Sequence, residues 1–195
     1  MSDPLSKLFG STARVKLLRL FLFNPKASFT VPDMALRARI TERAVRREIK
    51  LFGGIKLIER VRRPARARGM RYQLNDKFAY LGALQELLLN APARGNDLYE
   101  RIRRTGVLKL IVLSGIFIGE WEGRLDILIV GDRMEERKLR ERVKRLESEI
   151  GKELRYALLS SDDFFYRLNM NDHLIRDVFD NPHRIVLDRL NIGLK

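Results

Sequence analysis

Apolar residues recur at a helical period through the first third of the chain and then alternate at a strand period. The helical period covers three ranges: 13–23, 31–38 and 42–52. Each range follows a hydroxyl residue that is able to cap a helix, namely Ser11 or Thr12, Thr30 and Thr41. Two extended ranges follow, 56–62 and 71–74. The pattern therefore predicts three helices closed by a two-stranded ribbon.

The rest of the chain alternates helices with strands. An apolar helix is predicted over 78–90, and the loop at 91–95, which contains proline and glycine, is the expected domain boundary. Strands are predicted over 108–113, 125–130, 154–159 and 184–187, and helices over 97–104, 135–150, 161–168 and 173–179. The predicted fold class is α+β, with a first domain over 1–77, linking helices over 78–106 and a small α/β domain over 107–195.

Charge is distributed unevenly between these parts. The chain carries a net charge of +14, and residues 1–78 hold 19 Lys and Arg against 6 Asp and Glu. Such a basic segment favours a polyanion as partner, nucleic acid first and an anionic membrane surface second. The absence of cysteine excludes disulfides and thiolate metal sites. No signal peptide or membrane-spanning run is apparent, so we expect a soluble cytoplasmic protein without a membrane partner.

The third predicted helix carries the sharpest chemical signal. Val45, Ile49 and Phe52 share one face, and Gly53-Gly54 is expected to end the helix. The opposite face carries four cations: Arg43, Arg46, Arg47 and Lys50. Arginine can donate two hydrogen bonds to guanine or neutralise a phosphate, and the helix cap Thr41 can reach either. This face is therefore predicted to contact double-stranded DNA.

The ribbon is also rich in arginine. Six arginines fall within twelve positions of it: Arg60, Arg62, Arg63, Arg66, Arg68 and Arg71. Arginine suits the DNA backbone and the negative potential of the minor groove. Arg37 and Arg39, near the predicted turn, are expected to add phosphate contacts.

Residues 7–75 resemble a bacterial or archaeal winged helix-turn-helix transcriptional regulator. The resemblance rests on LFGSTARVKLLRLFLFNP, on RARITERAVRREIKLF and on the basic ribbon that follows. It implies sequence-specific binding of double-stranded DNA. The helix over 78–90 links the domains, packs as core, or pairs two chains into a homodimer that would suit a palindromic operator.

The stretch LIVLSGIFIGEWEGRLDILIVGD and the later strand LRYALL carry a second resemblance. On these motifs, residues 107–190 resemble the minimal nucleotidyltransferases of the DNA polymerase beta superfamily. That family has a Gly-Ser turn that holds phosphates, an Asp-x-Asp strand that holds two magnesium ions, and a third acid on a later strand. Here Ser114-Gly115 reverses the turn, Arg124 replaces the first aspartate and Asp126 matches the second. Arg155 lies on the later strand LRYALL, which lacks an acid. Arg124 and Asp126 are expected to point to the same side of a strand, in a degenerate nucleotide site without catalysis.

Other chemistry is weaker, and no cofactor is expected. His173 and His183 lack metal-ligand spacing with other donors, and Asp162-Asp163 is better interpreted as a helix cap. The leading hypothesis is a DNA-binding transcriptional regulator whose second domain senses a small anionic or nucleotide effector, dimerises or recruits a partner. Two rivals stay open: a nucleotidyltransferase acting on nucleic acid or protein, and an antitoxin-like partner protein.

Overall fold

The computed structural model of the chain describes residues 4–61, 69–89, 95–120 and 123–193. Helices and two sheets make up these residues, so the predicted α+β class is confirmed. Two compact units can be distinguished. Unit 1 comprises Met1–Ala91 with Arg145–Glu153, and unit 2 comprises Pro92–Lys144 with Leu154–Lys195.

Three helices of unit 1 begin at the predicted caps. The helices of its first ninety residues are α1 (Pro4–Leu8), α2 (Thr12–Leu22), α3 (Val31–Ala38), α4 (Glu42–Gly54) and α5 (Leu81–Leu89). The side chains of Ser11, Thr30 and Thr41 each accept a hydrogen bond from the backbone N–H three residues on. These bonds satisfy N–H groups that a helix leaves unpaired at its start. The short helix α1 was not predicted from the sequence.

The same unit contains a small antiparallel sheet. Its strands are β1 (Ser28–Phe29), β2 (Ile58–Val61) and β3 (Arg71–Leu74), in the order β1-β3-β2. The third helix ends at the predicted glycine pair, although α4 includes both glycines and so extends two residues past the predicted last residue, Phe52. The chain then turns at Lys56, whose φ is 60°, and Ile58 starts the strand two residues later than predicted.

A segment that is distant in sequence completes unit 1. The Asn24 amide donates a hydrogen bond to the Gly151 carbonyl at 2.8 Å, and Lys16 Nζ donates one to the Ser148 hydroxyl at 3.4 Å. A Cβ at Gly151 would meet the Leu20 backbone nitrogen at 2.5 Å, and its φ is 86°. Only glycine permits so close an approach of two backbones in this conformation.

Unit 2 contains a four-stranded sheet in the order β6-β5-β4-β7. Its strands are β4 (Val107–Leu113), β5 (Ile127–Asp132), β6 (Tyr156–Leu159) and β7 (Arg184–Asp188), with β5 and β6 parallel and the other pairs antiparallel. Its helices are α6 (Gly95–Ile102), α8 (Ser161–Asn169), α9 (His173–Phe179) and the part of α7 (Glu136–Ile150) that precedes Arg145, from which residue α7 belongs to unit 1. The central strands β4 and β5 are apolar runs, as burial on both faces requires. Within the described residues, every helix is too short or too polar to cross a bilayer.

Candidate nucleic-acid interface

The helix α4 has one buried face and one charged face. Val45, Ile49 and Phe52 are buried in the core of unit 1, as the apolar pattern predicts. The exposed side chains on the opposite face are Arg43, Arg46, Arg47 and Lys50, and we call this set the α4 basic face. Residues three, four and seven apart lie on the same side of a helix, so the four cations form one stripe.

The cations of the α4 basic face differ in their local partners. Arg46 Nη2 lies 2.8 Å from Glu42 Oε2, and Arg47 Nη2 lies 3.0 Å from Glu48 Oε1. Arg43 and Lys50 make no salt bridge with another residue that the structure describes. Exposed ion pairs contribute only about 0–1 kcal/mol, so the Arg46 pair is readily exchanged for a ligand phosphate.

Glu48 is the exception to the exposed charge of α4, because none of its side chain reaches solvent. Arg14 Nε donates to Glu48 Oε2 at 2.9 Å, and the Ser11 hydroxyl donates to Oε1 at 3.2 Å. Burial alone would raise the pKa of this carboxyl, but the hydrogen bonds from Arg14 and Arg47 outweigh it and hold the pKa below the ordinary glutamate value. Glu48 is therefore a buried anion that is neutralised from two sides.

A groove of about 500 Å³ lies beside α4 in unit 1. Three of the lining residues are cations, Arg46, Lys50 and Arg60. The other lining residues are uncharged: Val31, Ile49, Gly53, Gly54, Ile58 and Tyr72. A concave surface that has several cations and, among the described residues that line it, no carboxylate suits a phosphate with its sugar. Sequence reasoning placed Arg60 in the ribbon but did not bring it next to α4.

Two predicted phosphate ligands near the turn already have partners inside unit 1. Arg37 Nη2 lies 3.0 Å from Glu153 Oε1, and its guanidinium lies 5.3 Å from the centre of the Phe29 ring. Arg39 is the C-cap of α3 in a left-handed conformation, with φ 51° and ψ 54°. The Arg39 backbone therefore makes the tight turn that the sequence predicts between α3 and α4.

Arg71 differs from the other predicted DNA ligands, because its guanidinium faces the sheet. Its Nε donates to the Ser28 hydroxyl at 2.8 Å, and Nη2 donates to the Ser28 carbonyl. Nη1 lies 3.5 Å from Asp33 Oδ2. These contacts join β3 to β1 and to the capping box of α3, a structural role that spacing in the sequence did not indicate. Four of the six predicted ribbon arginines lie outside the described residues: Arg62, Arg63, Arg66 and Arg68.

The predicted site in unit 2 has a different geometry from the one expected. The prediction that Arg124 and Asp126 point to the same side of a strand is wrong, because β5 begins only at Ile127. The side chain of Arg124 is 78% exposed and pairs with Asp177 at 3.2 Å, whereas that of Asp126 is fully buried. The strand period does not apply outside the strand, so the two side chains diverge.

Asp126 is saturated with hydrogen-bond donors. Arg155 donates to it from its backbone N–H at 2.8 Å, from Nε at 3.1 Å and from Nη2 at 2.9 Å. The Ile116 N–H donates to Oδ1 at 3.1 Å. The hydrogen bonds that the Arg155 guanidinium donates to Asp126 in turn raise the pKa of that guanidinium. The carboxylate therefore ties the turn after β4 to the residue before β6.

Ser114 and Gly115 lie in that same turn, against Asp126. The Ser114 N–H donates to the Asp126 carbonyl at 3.0 Å, and Ser114 precedes a short 3-10 helix, Gly115–Ile118. Gly115 has φ 54°, and a Cβ there would lie 2.3 Å from Asp126 Oδ1. The turn requires glycine because any side chain would collide with the buried carboxylate.

No protein family model, curated protein or solved structure matches the chain. Within the described residues, no group of three or more His, Asp or Glu side chains is placed to hold a metal ion. Function is therefore inferred from the chemistry of the described side chains.

Proposed function

We propose that the chain is a sequence-specific DNA-binding transcriptional regulator that contacts double-stranded DNA through unit 1. The observation that carries this proposal is the α4 basic face, four exposed cations on one side of a helix whose other side is core. The major groove is wide enough to admit one α-helix, and arginine is the side chain that most often reads guanine there.

The elements around α4 support the same proposal. α3, a tight turn at Arg39 and α4 follow one another, and an antiparallel pair of strands comes next. This order is that of a winged helix-turn-helix, in which the second helix of the motif enters the major groove. In this arrangement β2 and β3 are the strands of the wing, and we assign the arginines predicted in the ribbon to the DNA backbone or the minor groove.

The α4 basic face and the groove divide the contacts between bases and backbone. We assign Arg43 and Arg47 to base edges, because they lie on the side of α4 farthest from the core. We assign Lys50, Arg46 and Arg60 to a backbone phosphate, because they line one groove. Phosphate contacts position the protein, and base contacts specify the sequence.

For unit 2 we propose a domain without nucleotidyl-transfer activity. Two-metal catalysis needs free carboxylate oxygens for the ions, and both oxygens of Asp126 already accept hydrogen bonds from Arg155. An anionic effector and the pairing of two chains remain predictions from the sequence. Incubation with labelled nucleoside triphosphates, magnesium or manganese, and nucleic-acid and protein acceptors should give no labelled product. A product that is lost in Asp126→Ala would contradict this proposal.

The experiment for DNA recognition is selection of bound duplexes from a random pool. We expect a defined motif for the wild-type chain and a loss of enrichment for a chain in which Arg43, Arg47 and Lys50 are changed to Gln. A matched triple variant on α7, with Arg137, Arg140 and Lys144 changed to Gln, removes the same charge from exposed positions of unit 2. Enrichment that survives the α4 changes, or that the α7 changes abolish equally, would contradict the assignment of α4.

A further inference from the structure

The contact between Glu48 and Arg47 joins the buried face of α4 to its basic face. Arg47 Nε and Nη2 lie 3.2 and 3.0 Å from the same oxygen, Glu48 Oε1. The Arg47 side chain remains 68% exposed, while that of Glu48 is fully buried. A surface cation on the face that we assign to DNA is thus tied to an anion in the core.

Glu48 does not depend on Arg47 for its neutralisation. Arg14 Nε lies 2.9 Å from Oε2, and the Arg14 guanidinium also donates to the Phe9 carbonyl at 2.7 Å. The Ser11 hydroxyl donates to Oε1. These partners come from α2 and the residues just before it, so the carboxylate is held in place before Arg47 adds its two bonds.

The geometry at Arg47 leaves one edge of its guanidinium uncommitted. A guanidinium has five N–H groups in a rigid planar fork, and Glu48 engages the edge formed by Nε and Nη2. No other hydrogen bond of Arg47 joins it to a residue that the structure describes. The edge formed by Nη1 and Nη2 can therefore donate two parallel hydrogen bonds, which is the geometry that guanine O6 and N7 accept.

We propose that Glu48 is a positioning residue for DNA recognition, which holds Arg47 by one edge so that the other edge meets a guanine. The proposal rests on the assignment of α4 to DNA. A long, flexible arginine loses conformational freedom when it binds a base, and an anchor that removes that freedom beforehand lowers the cost of binding. Glu48 thereby contributes to sequence preference without touching DNA.

The test uses the selected duplex with each guanine replaced in turn by 7-deazaguanine, which lacks the N7 acceptor. In the wild-type chain we expect one guanine at which the replacement costs about tenfold in affinity, as loss of half of a bidentate contact implies. In Arg47→Ala this penalty should vanish. In Glu48→Gln it should shrink to about twofold, because Arg47 is no longer held by a charge. The double variant Glu48→Gln, Arg47→Ala should show the same 7-deazaguanine penalty as Arg47→Ala alone.

Glu100→Gln is the matched control, because it removes one negative charge from an exposed side chain of α6. It should keep the wild-type penalty at every guanine. Two results would overturn the positioning role. One is a 7-deazaguanine penalty in Glu48→Gln that is as large as in the wild-type chain. The other is a loss of affinity on Glu48→Gln that is equal for every duplex and is the same whether residue 47 is Arg or Ala. A wild-type chain that selects no motif would instead overturn the proposed function itself.

A second measurement does not depend on the folding of a variant. In the DNA-free wild-type chain, the Arg47 Nε proton should exchange with water more slowly than the Arg43 Nε proton. The reason is that Arg47 Nε–H donates a hydrogen bond to Glu48. Nuclear magnetic resonance of the arginine side chains measures both rates. Equal rates for the two residues would overturn the proposal.

Discussion

Glu48 in unit 1 and Asp126 in unit 2 are both fully buried carboxylates paired with arginine, but the two carboxylates differ in where their partners lie. Both oxygens of Asp126 are engaged by Arg155, and the backbone N–H groups of Arg155 and Ile116 complete the set. Glu48 is paired on one side with Arg14 and on the other with Arg47, which remains largely exposed. A buried acid can therefore close a turn or support a charged surface, depending on where its partners lie.

The net charge of the chain around the two acids also differs between the two units. Residues 1–78 carry a net charge of +13 and the rest of the chain carries +1. Around α4 the exposed cations outnumber the acids, whereas Arg124 near Asp126 is paired with Asp177. The comparison thus contrasts an open cationic surface with a closed, locally balanced turn. Four measurements test this difference between the two regions.

The largest expected effect is the salt dependence of DNA binding. If about six phosphates are neutralised, affinity should fall about a thousandfold between 50 and 200 mM salt, with a logarithmic slope near −5. Titration of a selected duplex at several salt concentrations measures this slope. Changing Lys50 and Arg60 to Gln should lower the slope by about two, since each phosphate contact contributes about one. An unchanged slope in this variant would remove the groove from the interface.

Removal of Asp126 from the turn after β4 should have the next largest effect, and that effect is on stability. Asp126→Ala leaves Arg155 without its partner and two backbone N–H groups without an acceptor, so we expect the free energy of unfolding to fall by about 2–4 kcal/mol. Denaturant unfolding measures it. Asp177→Ala removes the exposed partner of Arg124 and should cost less than about 0.5 kcal/mol. Similar costs for the two variants would mean that the turn is not held by Asp126.

Single substitutions should distinguish the side chains that contact bases from those that contact the DNA backbone. Arg43→Ala should cost about 1–3 kcal/mol on the selected motif and relax the preference for it, because a base contact is lost. Arg60→Ala should weaken binding to motif and scrambled duplexes alike, as expected for a phosphate contact. Affinities of both variants for both duplexes decide the matter. A change of preference in Arg60→Ala and none in Arg43→Ala would reverse the assignment.

The smallest expected effect is a loss of stability at low pH, when Glu48 becomes protonated. Its carboxyl has a lowered pKa in the folded chain because the hydrogen bonds from Arg14 and Arg47 outweigh burial. The stability it contributes is therefore complete above the ordinary glutamate pKa of about 4.3 and is lost as pH falls toward the lower folded value. Glu48→Gln should be less stable than the wild-type chain at neutral pH, and the difference should narrow in this acid range. Unfolding curves at several pH values measure the difference, and a constant gap would contradict the role of the carboxylate.

Local signals in the sequence were sufficient for most of the helices and for the charged face of α4. The caps Ser11, Thr30 and Thr41 act as predicted, because a hydroxyl satisfies N–H groups of its own first turn. The stripe of α4 cations follows from helical spacing alone. The same signals placed the end of α4 two residues too early, at Phe52, because the weak helix propensity of Gly53 and Gly54 is outweighed by neighbours such as the buried Phe52.

The sequence by itself determined the α+β class, the periods of the elements and the concentration of positive charge before residue 79, since these depend on neighbours along the chain. Only the tertiary structure decided which charges meet. Arg155 lies 29 residues from Asp126, Arg14 lies 34 from Glu48, and Asn24 lies 127 from Gly151. Such pairs are set by how whole elements pack to bury their apolar faces, and no spacing along the chain records them.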